Sequence, residues 1–158
     1  MRKLKLYLET SIFNVATSDQ NPEFREATLK LFERLKLEEY EGYTSVIVLH
    51  EIEKAEEKRA NTLKNKIKEL DVDVLKNNPE IEKLAGEYIK EGLIAQKHFD
   101  DAQHIALASY YEMDAIVSWN FEHMVKFKMR RGVPSVNVLN GYKPIEIITP
   151  LEVRNDDT

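Results

Sequence analysis

Four separate segments of the chain carry acidic or amide side chains that could together hold metal ions. Glu9 and Asn120 each end an apolar run, and Glu51 lies in a stretch with helical periodicity. Two adjacent aspartates, Asp100 and Asp101, open another helical stretch. Three or four carboxylates can hold two divalent cations about 3.5–4 Å apart, which clamp the attacking and leaving oxygens of a phosphoryl displacement. The pattern therefore indicates metal-dependent phosphoryl chemistry.

Each of these residues also has an ordinary structural explanation. Glu9 could be a solvated strand end, Glu51 a surface residue and Asn120 a turn residue. One aspartate is enough to cap a helix, so either Asp100 or Asp101 is free for another role. Crowded carboxylates raise one another's pKa, so such a cluster is costly unless a cation fills it. The set, rather than any single residue, indicates a site.

The elements that must position these side chains alternate between strands and helices. Apolar or alternating runs predict strands at 3–9, 43–44, 71–75, 114–120, 135–139 and 145–149. Helical spacing predicts helices at 21–40, 46–55 (after the N-cap Ser45), 58–70, 78–92, 100–112 and 121–132, the last ending at Gly132, with a tight turn at Thr10 and Ser11. This alternation predicts an α/β fold, a parallel or mostly parallel sheet flanked by helices. Strand ends and the following helix starts share one edge of such a sheet, so the polar residues are expected to converge there.

Composition narrows the class of protein and the type of metal. The 158 residues predict one domain, residues 1–153, with a frayed tail at 154–158. The chain has no cysteine, so a metal must be held by oxygen or imidazole ligands, which favours Mg²⁺ or Mn²⁺. The net charge of −5 argues against nucleic-acid binding by bulk charge. Neither a signal peptide nor a membrane span is expected, and the expected location is the cytoplasm.

The histidines and the single tryptophan have both a functional and a structural interpretation. His104 and His123 lie three positions after Asp101 and Asn120, so either could join a metal or hydrogen-bond a ligand carboxylate; the alternative is a hydrogen-bonded histidine at the sheet edge. His50 and His98 are expected at the surface. Trp119 could stack on a base or pack in the core.

A basic segment interleaved with Phe127 and Met129 is the strongest candidate for contact with nucleic acid. Its cations could equally form a solvated helix face. They are Lys126, Lys128, Arg130 and Arg131.

The segments "LETSI", "TSVIVLHEI", "DAQHIALAS" and "VSWNF" occur in the order and spacing of the PIN-domain nucleases. The chain resembles in particular the VapC-type toxins of toxin–antitoxin pairs, over nearly its whole length. The resemblance implies a PIN-like, Rossmann-like fold and cleavage of RNA with Mg²⁺ or Mn²⁺. It implies catalytic roles for Glu9, Glu51, Asp101 and Asn120, and metal binding by the three acids with Asp100 as a helper.

The resemblance also implies partners: an RNA substrate, an antitoxin protein and a second copy in a homodimer. Thr10, Ser11 and Ser118 are predicted to contact the substrate together with the basic segment.

The chain departs from the family pattern at two positions, since Glu9 and Asn120 stand where the family has Asp. An amide oxygen can ligate Mg²⁺ but brings no charge. Two hypotheses follow: a metal-dependent endoribonuclease, and a catalytically weakened PIN domain that binds RNA or protein. A phosphohydrolase acting on a small molecule is a third, disfavoured because the chain has no P-loop.

Overall fold

The computed structural model describes residues 2–155, and the side chains of residues 2–153. The strands are β1 (Lys5–Leu8), β2 (Glu41–Ser45), β3 (Asp73–Leu75), β4 (Ala115–Val117) and β5 (Glu146–Ile148). The helices are α1 (Thr10–Ala16), α2 (Pro22–Lys36), α3 (Val46–Glu53), α4 (Glu57–Leu70), α5 (Pro79–Lys90), α6 (Phe99–Tyr110), α7 (Phe127–Leu139) and α8 (Pro150–Asn155), with a short 3₁₀ turn at Gln96–His98. No helix of the described part is long and apolar enough to cross a membrane.

All strand pairs are parallel, and the sheet order is β3-β2-β1-β4-β5. The chain builds outward from β1 to β3 on one side, then returns to place β4 and β5 on the other. The crevice between the carboxyl ends of β1 and β4 is therefore the topological switch point, where open α/β sheets bind ligands. Glu9 and Ser118 directly follow these two strands.

The central strand divides its side chains between two apolar cores, one on each face of the sheet. Tyr7 lies in the core formed with α5, α6 and α7, whereas Leu6 and Leu8 lie in the core formed with α1, α2, α4 and α8. All three are at most 2% exposed. Alternation along a doubly covered strand explains this division. The predicted α/β fold, with helices on both faces, is confirmed.

The first difference from expectation is at Thr10 and Ser11, which open the helix α1 instead of forming a tight turn. Ile12, Phe13 and Ala16 are buried at helical spacing, and this apolar face holds the short helix in place. The helix fixes the direction in which the chain leaves Glu9.

The second difference concerns the helix predicted at 121–132, of which only residues 127–132 are helical, and the strand predicted at 135–139, which is wrong. A single helix, α7, runs from Phe127 to Leu139 and passes through Gly132. A Cβ at Gly132 would lie 2.4 Å from Leu93 Cδ2. The glycine therefore allows close packing rather than ending the helix.

Periodicity explains why residues 135–139 are helical. Met129, Val133, Val136 and Asn137 are buried and recur at the i, i+4, i+7 and i+8 spacing of one helix face. Within 135–139 alone, the apolar residues alternate and imitate a strand. Pro134 lies inside the helix, although proline usually disfavours this position, so burial of the apolar face outweighs local preference.

At the C-terminus, residues 154 and 155 belong to α8. The remainder of the expected tail, residues 156–158, lies outside the described residues.

Candidate functional site

Glu9 lies at the carboxyl end of β1 and is only 4% exposed. Its carboxylate oxygen Oε1 accepts hydrogen bonds from Ser11 Oγ at 2.5 Å and from Ser118 Oγ at 2.6 Å. These two hydroxyls come from the segments that follow β1 and β4, so the carboxylate joins both strand ends. Two short bonds fix the position of the longer glutamate side chain.

The polar residues after β4 are fixed by the same network. Trp119 N–H donates to Ser11 Oγ at 2.8 Å, and Asn120 N–H donates to Ser118 Oγ at 2.9 Å. The Trp119 ring is stacked on Phe24, with ring centroids 4.0 Å apart, and its Nε1 donates to Thr28 at 2.9 Å. Trp119 therefore packs in the core, which is one of its two predicted roles; the other was stacking on a base.

Glu51 reaches the sheet edge from α3. This helix begins after Ser45, whose side chain caps it by accepting a hydrogen bond from Ile47 N–H at 3.1 Å. Glu51 Oε1 accepts a hydrogen bond from His104 Nε2. His104 is fully buried on α6, and its Nδ1 lies 2.7 Å from the Tyr7 hydroxyl. His104 was predicted either to join a metal or to hydrogen-bond a ligand carboxylate. It has the second role, because it donates to the Glu51 carboxylate.

The chain of contacts continues from Tyr7, whose hydroxyl lies 2.7 Å from Ser45 Oγ. Burial lowers the pKa of His104, but the hydrogen bond and charge of Glu51 outweigh it and raise the pKa. Burial also raises the pKa of Tyr7 well above its usual value. Tyr7 therefore stays neutral and relays a hydrogen bond that orients the imidazole on Glu51. The sequence interpretation missed Tyr7, because the alternation of β1 marks it only as a core residue.

Asp101 lies in the first turn of α6, half-buried, facing the segment after β4. Its Oδ1 accepts a hydrogen bond from Asn120 Nδ2 at 3.3 Å. Burial and the negative charge of Glu9 raise the pKa of Asp101, with a smaller contribution from Glu51. The charges of Glu9 and Glu51 therefore both act on Asp101 at this edge of the sheet.

The Asp100 side chain faces a groove between α3 and α6. It is exposed and, with Glu51 and Gln103, lines this groove of about 470 Å³. Asp100 thus lies beside Glu51 rather than beside Glu9.

Asn120 presents a donor to the site. Its Oδ1 accepts a hydrogen bond from His123 N–H at 2.9 Å, while its Nδ2 faces Asp101. The amide oxygen that was expected to assist a metal is used by the turn that follows.

A different set of potential ligands lies closest together. In residues 2–153, the His98, Asp101 and His123 side chains form the one group of three His, Asp or Glu whose ligand atoms lie within 4.8 Å of one another. The imidazole rings of His98 and His123 are stacked, with centroids 3.9 Å apart. His98, which was expected at the surface, is half-buried and lies in this cluster. Its spacing of three residues before Asp101 was the available signal.

The predicted substrate-binding residues are not all near the acids. Arg130 Nε donates to Ile147 O at 3.3 Å, and its guanidinium lies 3.6 Å from Glu152, so this side chain packs against β5 and α8. Arg131 lies over the Phe127 ring at 5.7 Å.

Three other predicted contacts are Lys126, Lys128 and Thr10, the residue that follows Glu9. Lys126 is the N-cap residue of α7 and Lys128 is exposed beside it. Thr10 Oγ1 is the one buried side-chain polar atom in the described part of the chain without a hydrogen-bond partner.

Among known proteins, some with solved structures are similar to this chain, and the similarity is one of fold. No protein-family model matches the sequence, and no curated protein is similar enough in sequence to match. Among solved structures, VapC20 of Mycobacterium tuberculosis, a toxin that cleaves the sarcin–ricin loop, matches with a TM-score of 0.56 and 15% identity, over 75% of this chain and 92% of VapC20. The fold is that of the VapC toxins.

VapBC2 of Rickettsia felis, bound to a DNA fragment from its promoter, is a second VapC-like match. Its TM-score is 0.57 at 13% identity, and the match covers 92% of this chain and 98% of the other. The predicted PIN-like resemblance is therefore confirmed at the level of the fold. At 13% and 15% identity, the comparisons carry no residue roles to this chain.

Proposed function

We propose that this chain is a divalent-metal-dependent endoribonuclease that hydrolyses RNA phosphodiesters, acting as the toxin of a toxin–antitoxin pair. The observation that carries the proposal is the buried Glu9 carboxylate at the switch point of a VapC-like sheet, next to Asp101: Ser118 and Asn120 of the segment after β4 donate to these two acids. The M. tuberculosis neighbour cleaves RNA, which supports RNA as the substrate class.

The donor set fits a hard divalent cation. Neither Glu9 nor Asp101 is paired with a lysine or arginine in the described part of the chain, and Glu9 is almost fully buried. Uncompensated carboxylates in a partly desolvated site are unfavourable without a cation, and oxygen ligands suit Mg²⁺ or Mn²⁺. The ligand atoms of Glu9, Glu51 and Asp101 do not all lie within 4.8 Å of one another, so these acids would hold two ions between them rather than share one. Asp100 would contribute charge beside Glu51. When bound, a divalent cation supplies Lewis-acid activation of water and of the phosphodiester.

The chain's own residues pre-organise this centre. Ser11 and Ser118 fix the Glu9 carboxylate, His104 fixes Glu51, and Asn120 donates to Asp101. Fixed side chains lower the reorganisation needed during a reaction. Thr10, Lys126 and Lys128 are the residues we expect nearest to a bound RNA backbone.

We also propose an antitoxin partner and a homodimer, as the VapC resemblance implies. The R. felis neighbour supports the antitoxin, since its structure is that of a VapBC2 complex.

A second candidate function is a catalytically weakened domain that binds RNA or protein. It is favoured by Asn120, whose amide places a donor where the family pattern has an acid. The two functions differ in whether RNA is cut.

The test is cleavage of a panel of structured and single-stranded RNAs with Mg²⁺, Mn²⁺ or EDTA, by wild type and by Asp101→Asn. We expect metal-dependent cleavage that the variant loses. In metal-free buffer the variant should melt no lower than wild type, because it removes a charge that Glu9 destabilises. Metal binding without any cleavage by wild type would instead support the binding domain, and a lower melting temperature of the variant would mean that Asp101 is only a helix cap.

A further inference from the structure

The cluster of His98, Asp101 and His123 offers ligands of a different chemistry from the carboxylates. Its members come from the 3₁₀ turn before α6, the first turn of α6 and the loop after β4. All three side chains are half-buried, so an ion could reach them from solvent, and their ligand atoms lie within 4.8 Å of one another. His98 and Asp101 are neighbours in one continuous segment, and the fold brings His123 to them from the loop after β4.

The loop that carries His123 is rigidly held. Asn120 Oδ1 accepts from His123 N–H at 2.9 Å, and Asn120 O accepts from Val125 N–H at 2.9 Å. The following residues Met124 and Val125 are buried in the core. Asn120 therefore positions His123 through the same side chain that replaces the expected acid.

The ligand atoms of the cluster have coordination capacity left. Asp101 Oδ1 accepts from Asn120, while Oδ2 accepts no hydrogen bond from any described residue. The imidazoles of His98 and His123 also make no hydrogen bond to a described residue, although Glu122 lies 3.6 Å from His123 Nε2. Two half-buried imidazoles with a carboxylate beside them supply three potential ligand atoms, and a modest rotation of the stacked rings would direct both nitrogens at one ion.

We propose that His98, Asp101 and His123 form a binding site for a first-row transition-metal dication, for which Zn²⁺ is the appropriate probe. Two imidazoles and one carboxylate favour Zn²⁺ and similar ions over Mg²⁺, which prefers oxygen ligands. The site adjoins the proposed carboxylate centre and shares Asp101 with it. Substitution of an acid by Asn120 thus accompanies a shift from oxygen toward nitrogen ligands at this corner.

The proposal is tested by calorimetric titration of Zn²⁺ and Mg²⁺ into metal-free protein, without RNA. The variants are His98→Ala and His123→Ala, and His50→Ala is the matched control because His50 is an exposed histidine outside the cluster. We expect wild type to bind one Zn²⁺ more tightly than Mg²⁺. Each cluster variant should weaken Zn²⁺ by about tenfold or more, a loss at least as large as that of a supporting residue, while His50→Ala binds as wild type does.

A second measurement uses wild-type protein alone and so does not depend on the folding of the variants. Long-range ¹H–¹⁵N spectra should show that Zn²⁺ shifts the ring nitrogens of His98 and His123 and leaves those of the buried His104 unchanged. Zn²⁺ binding that is equal in wild type and both cluster variants, or no preference for Zn²⁺ over Mg²⁺, would overturn the proposal. RNA cleavage is decided separately, since active enzyme with no Zn²⁺ site would reject this inference and keep the ribonuclease.

Discussion

Asn120 contacts two members of the cluster of His98, Asp101 and His123. Its side chain donates to Asp101, accepts from His123 and brings no charge. A carboxylate at this position would face Asp101 at about the same distance, so it would add both a potential ligand and a repulsion. The residue therefore balances stability without metal against affinity for metal.

Replacement of Asn120 by Asp tests this balance. Asn120→Asp should lower the melting temperature in EDTA, because two carboxylates would meet about 3.3 Å apart. It should also tighten Mn²⁺ binding, since a charged ligand is added. Both are measured by thermal melts and calorimetry, with Asn65→Asp on the exposed face of α4 as the control for added charge. An unchanged Mn²⁺ titration would mean that position 120 does not limit metal binding.

At the scale of elements, the start of β1 is attached to the start of β4 by one carboxylate. Asp114 accepts from the Arg2 guanidinium at 2.7 and 2.8 Å and from Lys5 N–H at 2.7 Å. The hydrogen bond from Arg2 lowers the pKa of Asp114. This contact lies at the opposite end of the sheet from the candidate site.

The lowered pKa of Asp114 predicts a pH dependence of stability. Its contribution is present above the unfolded-state pKa of about 3.9 and is lost as the pH falls through the lower folded-state value. Asp114→Asn should cost about 1–2 kcal/mol at neutral pH and flatten the acid limb of the unfolding free energy. Asp19→Asn is the control, because Asp19 is fully exposed and 3.9 Å from Arg25. Equal acid limbs in wild type and Asp114→Asn would contradict the prediction.

The C-terminal half of α7 is held by a buried polar contact. Tyr88 donates to Asn137 Oδ1, while Asn137 Nδ2 donates to Ser109 Oγ and Lys143 O, each at 2.9 Å. These bonds join α5, α6, α7 and the loop that leads to β5. They exist only because residues 135–139 are helical.

Asn137→Ala should lower the free energy of unfolding by about 2–3 kcal/mol, since it leaves buried partners unsatisfied. Chemical denaturation measures this loss. Asn140→Ala, at the exposed end of the same helix, should cost much less. Equal losses in the two variants would argue against the buried helix face.

The same element shows where sequence interpretation succeeds and fails. Strands β1 and β4 are recognisable because each is a continuous apolar run bounded by polar residues, and Pro79 and Gly92 bracket α5 as predicted. The end of α7 is not recognisable, because Val136 and Val138 alternate locally while the helix period requires Met129 and Val133. Gly132 leaves room for the Leu93 side chain, and this tertiary contact cannot be read from a local sequence pattern.

For the site, sequence order located Glu9, Glu51 and Asp101 on the correct elements, because the fold brings strand ends and helix starts together. It could not give the pairing of Glu51 with His104 or the stacking of His98 on His123, since both join distant segments. Whether the acids are catalytic stays a prediction.

At the scale of the whole molecule, the net charge of −5 leaves RNA binding to local features. The acids gather at one crevice of the sheet, and Lys126 and Lys128 lie on the element that follows it. A cation shared by Glu9 and Asp101, with a second ion held by Glu51, would turn a repulsive crevice into one that accepts phosphate. The proposed ribonuclease activity depends on this shared cation more than on any other feature.

Anomalous diffraction from crystals soaked in Mn²⁺ tests the shared cation most directly. We expect an anomalous peak within coordination distance of the Glu9 and Asp101 carboxylates, and we expect its loss in crystals of Asp101→Asn. Mn²⁺ found only at exposed carboxylates away from the switch point, with none beside Glu9 or Asp101, would contradict this expectation.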